Sequence, residues 1–155
     1  MDAVRKHIDW LPAIIIAGIL LMTIPSKFGG AAMTDAIFRQ VGQALGLGFF
    51  ESIGAYLVGT AELVAGILVL IPATRAYGAV LALAVMTGAI FFHLFTRLGM
   101  VVSYCSTGAP LAQCGENGGQ VMQDGGLFYM AILVFVSALY LTLKHRQKLP
   151  IIGGQ

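Results

Sequence analysis

Charge is scarce in this sequence. Asp, Glu, Lys and Arg make up 10% of its 155 residues, whereas an ordinary soluble domain carries about 25%. A globular fold of this length has too much surface for so few charges to cover it in water. Lipid around most of the molecule removes the deficit, and a hydrophobic share of 58% points the same way. Basic clusters are scarce too. The net charge is +2, and no Lys/Arg-rich run occurs outside the C-terminal tail, which argues against nucleic acid as a partner. The phosphate loop, the dinucleotide GxGxxG after a strand, HExxH and the nucleophile elbow are all missing. The three histidines His7, His93 and His145 fall at different depths, so they do not make a facing pair for haem. The chain thus carries no haem, flavin or metal signature.

Long apolar runs are abundant instead. A bilayer core takes about 20 mainly apolar residues as helix. Four stretches qualify, at about 10–27, 52–73, 76–97 and 125–143. Backbone groups in lipid must be satisfied within the segment, so the runs read as helices. Arg5 and Lys6 before the first run resemble a signal-peptide start. Ile24-Pro25-Ser26-Lys27 is a poor cleavage site, so the first span reads as retained. Trp10-Leu11-Pro12 marks its entrance, and Pro25 with Gly29-Gly30 its close. Pro72 and Thr74-Arg75 leave room only for a short turn, which makes spans two and three an antiparallel hairpin. Between spans one and two, Ile37, Phe38, Val41, Ala44 and Leu45 share one helical face, while Asp35, Arg39, Gln40 and Gln43 fall largely elsewhere. This predicts an interfacial helix at about 34–47, capped by Thr34 or Asp35. The expected fold is all-α: a single domain, a polytopic membrane four-helix bundle with a short interfacial helix between spans one and two.

The basic residues set an orientation. With four spans, Arg5, Lys6, Arg75, Lys144, Arg146 and Lys148 share one side, against Lys27, Arg39 and Arg97 on the other. The positive-inside rule then puts both termini and the 72–75 turn in the cytoplasm. The glycine-rich stretch 98–124 becomes an external loop holding both cysteines, Cys105 and Cys114. Outside the cytoplasm two cysteines so placed read as a disulfide that stiffens the loop by about 2–3 kcal/mol. A redox-active pair exchanging electrons with a partner is the second reading, and two free thiols the third. The spacing is not CxxC.

Glu62 carries the strongest positional signal. A charged group deep in a span costs at least about 2.5–3.5 kcal/mol and is usually paired or functional. Gly59 and Gly66 flank it in Gly59-Thr-Ala-Glu62-Leu-Val-Ala-Gly66 and permit close helix approach, so Glu62 should face the bundle interior. There it is either a structural carboxyl between helices or a ligand- or proton-binding group. Lys27, His93 and Asp124 lie toward the outer ends of their spans and with Glu62 could line a cleft opening outward. Each has a plainer role: Lys27 snorkelling to headgroups, His93 as an interfacial residue, Asp124 as the N-cap of the last helix. Tyr56 and Phe92 fall in the same outer half, where rings either line a pocket for a flat ligand such as a quinone or simply pack.

These residues resemble the DoxX family of small four-helix membrane proteins of bacteria and archaea. The resemblance spans roughly 11–143. It rests on Ser26-Lys27-Phe28-Gly29, on Gly59-Thr-Ala-Glu62-Leu-Val-Ala-Gly66-Ile-Leu-Val-Leu, on Thr74-Arg75 with Gly88-Ala-Ile-Phe-Phe-His93, and on Asp124-Gly-Gly. The loop holding Cys105 and Cys114 looks like an insertion relative to the shortest members. The resemblance implies a multi-pass protein of the cytoplasmic (inner) membrane. It also implies redox work alongside partners, as in subunits related to thiosulfate:quinone oxidoreductase and in membrane partners of sulfur-transfer or superoxide-detoxifying proteins. Lys27, Glu62 and His93 match the family's polar pattern, and no catalytic role follows for any of them. Three functions stay open: a redox-linked subunit of a membrane oxidoreductase that handles a quinone or a sulfur species, a non-enzymatic scaffold or assembly factor, and a small proton-linked transporter, which would need a homo-oligomer.

Overall fold

A computed structural model describes residues 8–115 and 118–148. Arg5, Lys6, His7 and Glu116, which enter the charge and histidine arguments above, lie outside the described residues, as does the side chain of Lys148. Among the described residues there are five α-helices and one β-hairpin: α1 (Trp10–Phe28), α2 (Ala32–Leu45), α3 (Gly48–Leu70), α4 (Arg75–Phe95), β1 (Val102–Cys105), β2 (Val121–Asp124) and α5 (Gly126–Lys144). Helices α1, α3, α4 and α5 are each long and apolar enough to cross a membrane. They close into a ring in which α1 packs on α3, α3 on α4, α4 on α5 and α5 on α1. Their shared core is built largely of small and branched side chains, including Ala13, Ile16, Leu20, Ala65, Val69 and Ala79. Such residues let helix backbones approach in a medium where hydrophobicity alone does not drive helices together.

Glycines set the spacing. A Cβ on Gly66 would meet Leu21 at 3.2 Å, and one on Gly59 would meet Phe28 at 2.9 Å, so α3 lies tight against α1. A Cβ on Gly78 would fall 2.5 Å from the Val69 nitrogen, which fixes α4 against α3 beside their 71–74 turn. Two ends follow from the pairing. At one, the Lys144 ammonium and His145 Nε2 meet Asp9, the latter at 3.2 Å, and the Arg75 guanidinium stacks 4.5 Å above the Trp10 ring. The hairpin marks the other.

Several boundaries differ from the sequence reading. Helix α1 runs through Pro25 to Phe28, because a proline removes one backbone donor and the turn past it is closed by Gly29 N–H donating to the Pro25 carbonyl at 2.8 Å. Helix α2 starts at Ala32 with no side-chain cap. Gly30, at φ 65°, turns the chain straight into it, and Thr34 ends up buried inside the helix rather than capping it. Helix α3 begins at Gly48, four residues before the expected span, because the αL turn at Gly46 is short and Phe49 and Phe50 continue the helix. Phe38 and Val41 of α2 are buried, while Ala44 and Leu45, expected on the same apolar face, are exposed.

The stretch 98–124 is more ordered than its glycines suggest. Strands β1 and β2 pair antiparallel with Val102 opposite Asp124 and Cys105 opposite Val121. Cys105 and Cys114 form a disulfide, and both residues are buried. Gly119 packs on it: a Cβ there would sit 2.5 Å from Cys105 Sγ and 2.7 Å from the Cys114 carbonyl oxygen. Thiol–disulfide exchange needs an attacking thiolate to reach a sulfur, so burial favours the structural reading of this pair over the redox-active one.

Candidate functional site

Helix α3 is the longest span and leans past the end of α1. Lys27, one residue from the end of α1, sits beside Gly59, and the first turns of α3 pack instead against α2, where Gly54 faces the Phe38 ring. This stagger brings a residue from the end of one span against the interior of another. Lys27 Nζ donates to Glu62 Oε2 at 2.5 Å and to Thr23 Oγ1 at 3.0 Å. The Thr23 hydroxyl lies 3.1 Å from the same Glu62 oxygen and 2.8 Å from the Leu20 carbonyl; its single proton serves one of these acceptors at a time. The side chains of Lys27 and Glu62 are 13% and 6% exposed. Closely paired and hydrogen-bonded, the two charges offset much of each other's desolvation.

The second Glu62 oxygen, Oε1, accepts no hydrogen bond among the described residues. Glu62 and Lys27 both line a cavity of about 400 Å³ between the helices. Most of that wall is apolar, from Leu20, Phe38, Val58, Met86 and Phe92 among others. Thr34 and His93 add two further polar groups. His93 Nδ1 lies 2.5 Å from the Gly99 carbonyl. A carbonyl can only accept, so Nδ1 carries a proton, and Nε2 remains without a partner among the described residues. The ring rests at 5.4 Å from that of Phe128. Glu62 lies about 12 Å of helix rise from the end of α3, while His93 lies about 27 Å from the start of α4. The two are therefore separated along the bundle by about 15 Å of rise. They share a cavity and do not touch.

The sequence candidates thus fall into two groups. Lys27, Glu62 and His93 line one cavity, as does Phe92. Asp124 lies outside it: Oδ1 accepts the Gly126 N–H at 2.6 Å, so the carboxylate steadies the start of α5. Tyr56 is exposed and meets Phe28 edge-on at 5.7 Å. Thr23 was not singled out by sequence, and Thr34 only as a helix cap. The only signal for Thr23 is its place four residues before Lys27, one helical turn away. Among the described residues no three His, Cys, Asp or Glu side chains gather as metal ligands.

A ring of four apolar helices around a cavity whose wall carries an ion pair defines the class: an integral membrane protein with an internal, largely apolar chamber. Compared with protein-family models, with curated proteins and with solved structures, the chain gives no match.

Proposed function

We propose that the chain is a redox-linked membrane subunit whose cavity holds the head of a quinone, as its resemblance to the DoxX family implies. One observation carries the reading: an ion pair with spare valence on each partner faces an apolar chamber. Glu62 Oε1 has room to accept a hydrogen bond, and the Lys27 ammonium donates two of its three protons within the protein. A group that both donates and accepts satisfies both, and the quinol and quinone forms of one ring do so in turn. Apolar walls with a few convergent polar groups are the usual make-up of small-ligand sites, and about 400 Å³ lies in the lower part of their range of about 300–1,000 Å³. The sequence carries no haem, flavin or metal signature, so a partner redox protein supplies or removes the electrons. The orientation, with the hairpin outside a bacterial or archaeal cytoplasmic membrane, belongs to the same proposal.

Titration of the detergent-purified protein with decylubiquinone tests this. The unaltered protein should bind with saturation, Glu62→Gln more weakly, and Gly88→Leu hardly at all. Gly88 lines the cavity, and a Cβ there meets nothing within 4 Å, so a larger side chain can be added at the cavity wall without displacing backbone. No saturable binding to the unaltered protein would refute the reading. A scaffold reading also has support, because the Lys27–Glu62 pair ties α1 to α3. It requires Gly88→Leu to leave the phenotype of a deletion strain fully rescued.

A further inference from the structure

At its hairpin end the cavity abuts a second apolar cluster. Val41, Leu98 and Val102 are buried there, with Ile37, Phe50 and Phe92 packed around them. The bond from His93 to the Gly99 carbonyl holds the α4–β1 connection down over the same place. A solute arriving from water on that side meets an apolar plug.

The flank between α3 and α4 differs. Beside the 71–74 turn the two helices touch, as Gly78 requires. Ten residues along α4, Gly88 has open space where Gly78 has backbone. Gly88 lies about 80° round the helix from Gly78, at the edge of the α3 seam, and the space beside it is unfilled. The cavity liners on this flank are Leu57 and Ala61 of α3 with Ala84 and Gly88 of α4. Leu57 is 52% exposed, and Ala84 is exposed as well. Both sit inside helices long and apolar enough to cross a membrane, where an outward-facing surface meets acyl chains. On the opposite flank, Ser26 of α1 and Met130 of α5 also line the cavity, but each is half-buried.

We propose that the gap between α3 and α4 is a lateral portal, through which an uncharged, membrane-dissolved lipophile passes from the bilayer into the cavity. This rests on the quinone reading above and adds the route. Charge supports the ligand class: Lys27 and Glu62 neutralise each other, so a charged head would leave one charge uncompensated among apolar walls. Volume supports the route. A chamber of about 400 Å³ takes a ring and a short substituent, so a long chain must trail outward, and past Leu57 and Ala84 it meets lipid without crossing a polar surface.

The experiment uses the full chain in lipid nanodiscs and a photoactivatable azido-quinone with an isoprenoid tail. Long incubation of the unaltered protein comes first. Labelled peptides from around Lys27 and Glu62 support the cavity reading, and unlabelled ones sink it together with the portal. Label yield after brief exposure then decides the route. Ala84→Phe should slow labelling by about tenfold at unchanged final yield, since narrowing the entrance acts on the association rate. Ala84→Ser should label at the original rate. Met22→Trp, which adds bulk on the exposed surface of α1 one helical turn from Ser26 and outside the cavity lining, and Leu98→Ala, which thins the plug, should each leave the rate within about twofold. Leu57→Trp serves if Ala84→Phe fails to elute as a folded species. Unchanged labelling by both portal variants, or acceleration by Leu98→Ala alone, would overturn the portal while leaving the cavity reading intact.

Discussion

At the scale of single side chains, the consequence of burying Lys27 beside Glu62 is that neither is easily replaced alone. Removing one partner of a buried pair costs about 3–5 kcal/mol, because the survivor is left desolvated without compensation. Glu62→Leu and Lys27→Met should each destabilise the protein by amounts of that order. The double variant should cost clearly less than the sum, since no orphan charge remains. Thermal unfolding in detergent, run as a double-mutant cycle, checks this; additive losses would mean that the two side chains are uncoupled. Thr23→Val should cost about 1 kcal/mol, the net worth of a typical hydrogen bond. Glu62 could be singled out from sequence because a carboxyl deep in an apolar run has few innocent explanations. Its partner was harder to rank. Lys27, His93 and Asp124 all lie toward the same end of their spans, and which of them reaches Glu62 depends on the stagger of α3 past α1, which no local pattern encodes.

At the scale of elements, two glycines of α4 make opposite demands. Gly78→Ala should destabilise, because its Cβ would fall 2.5 Å from the Val69 nitrogen and 2.9 Å from the Leu68 carbonyl carbon, and backbone cannot move aside cheaply. Gly88→Ala should be neutral or stabilising by up to about 1 kcal/mol, since a helical glycine gains from a side chain wherever space allows. Melting temperatures of the pair check that α4 is tightly packed at Gly78 and unfilled at Gly88. Gly119→Ala should impair oxidation of Cys105 and Cys114, seen as free thiols in a non-reducing mass measurement. The four spans were legible because about 20 apolar residues allow few alternatives. The β-hairpin was not. Strand β1 holds Val102, Ser103, Tyr104 and Cys105, a usable strand signal, but β2 is as short, and Gly99, Gly108, Gly115, Gly118 and Gly119 dominate the stretch. Pairing across a 15-residue connection depends on the disulfide and on packing against α2, both of which are tertiary.

At the scale of the whole molecule, lipid takes the place of a water-facing shell. Leu11, Ile14, Met22, Phe95, Tyr129 and Leu143 are large, apolar and exposed, and they lie at the outer surface of the ring. The helices thus spend their best-packing residues inward and leave bulk to the bilayer, while small side chains around the α3–α4 flank leave a gap. The chamber behind that gap is where the head of a quinone is proposed to sit. Native mass spectrometry of the protein released gently from membranes, with the bound lipid identified by fragmentation, tests it most directly. The expected result is a neutral quinone adduct on the unaltered chain that is lost from the Lys27→Met/Glu62→Leu double variant. An adduct-free unaltered chain, or an adduct equally abundant on that variant, would contradict it.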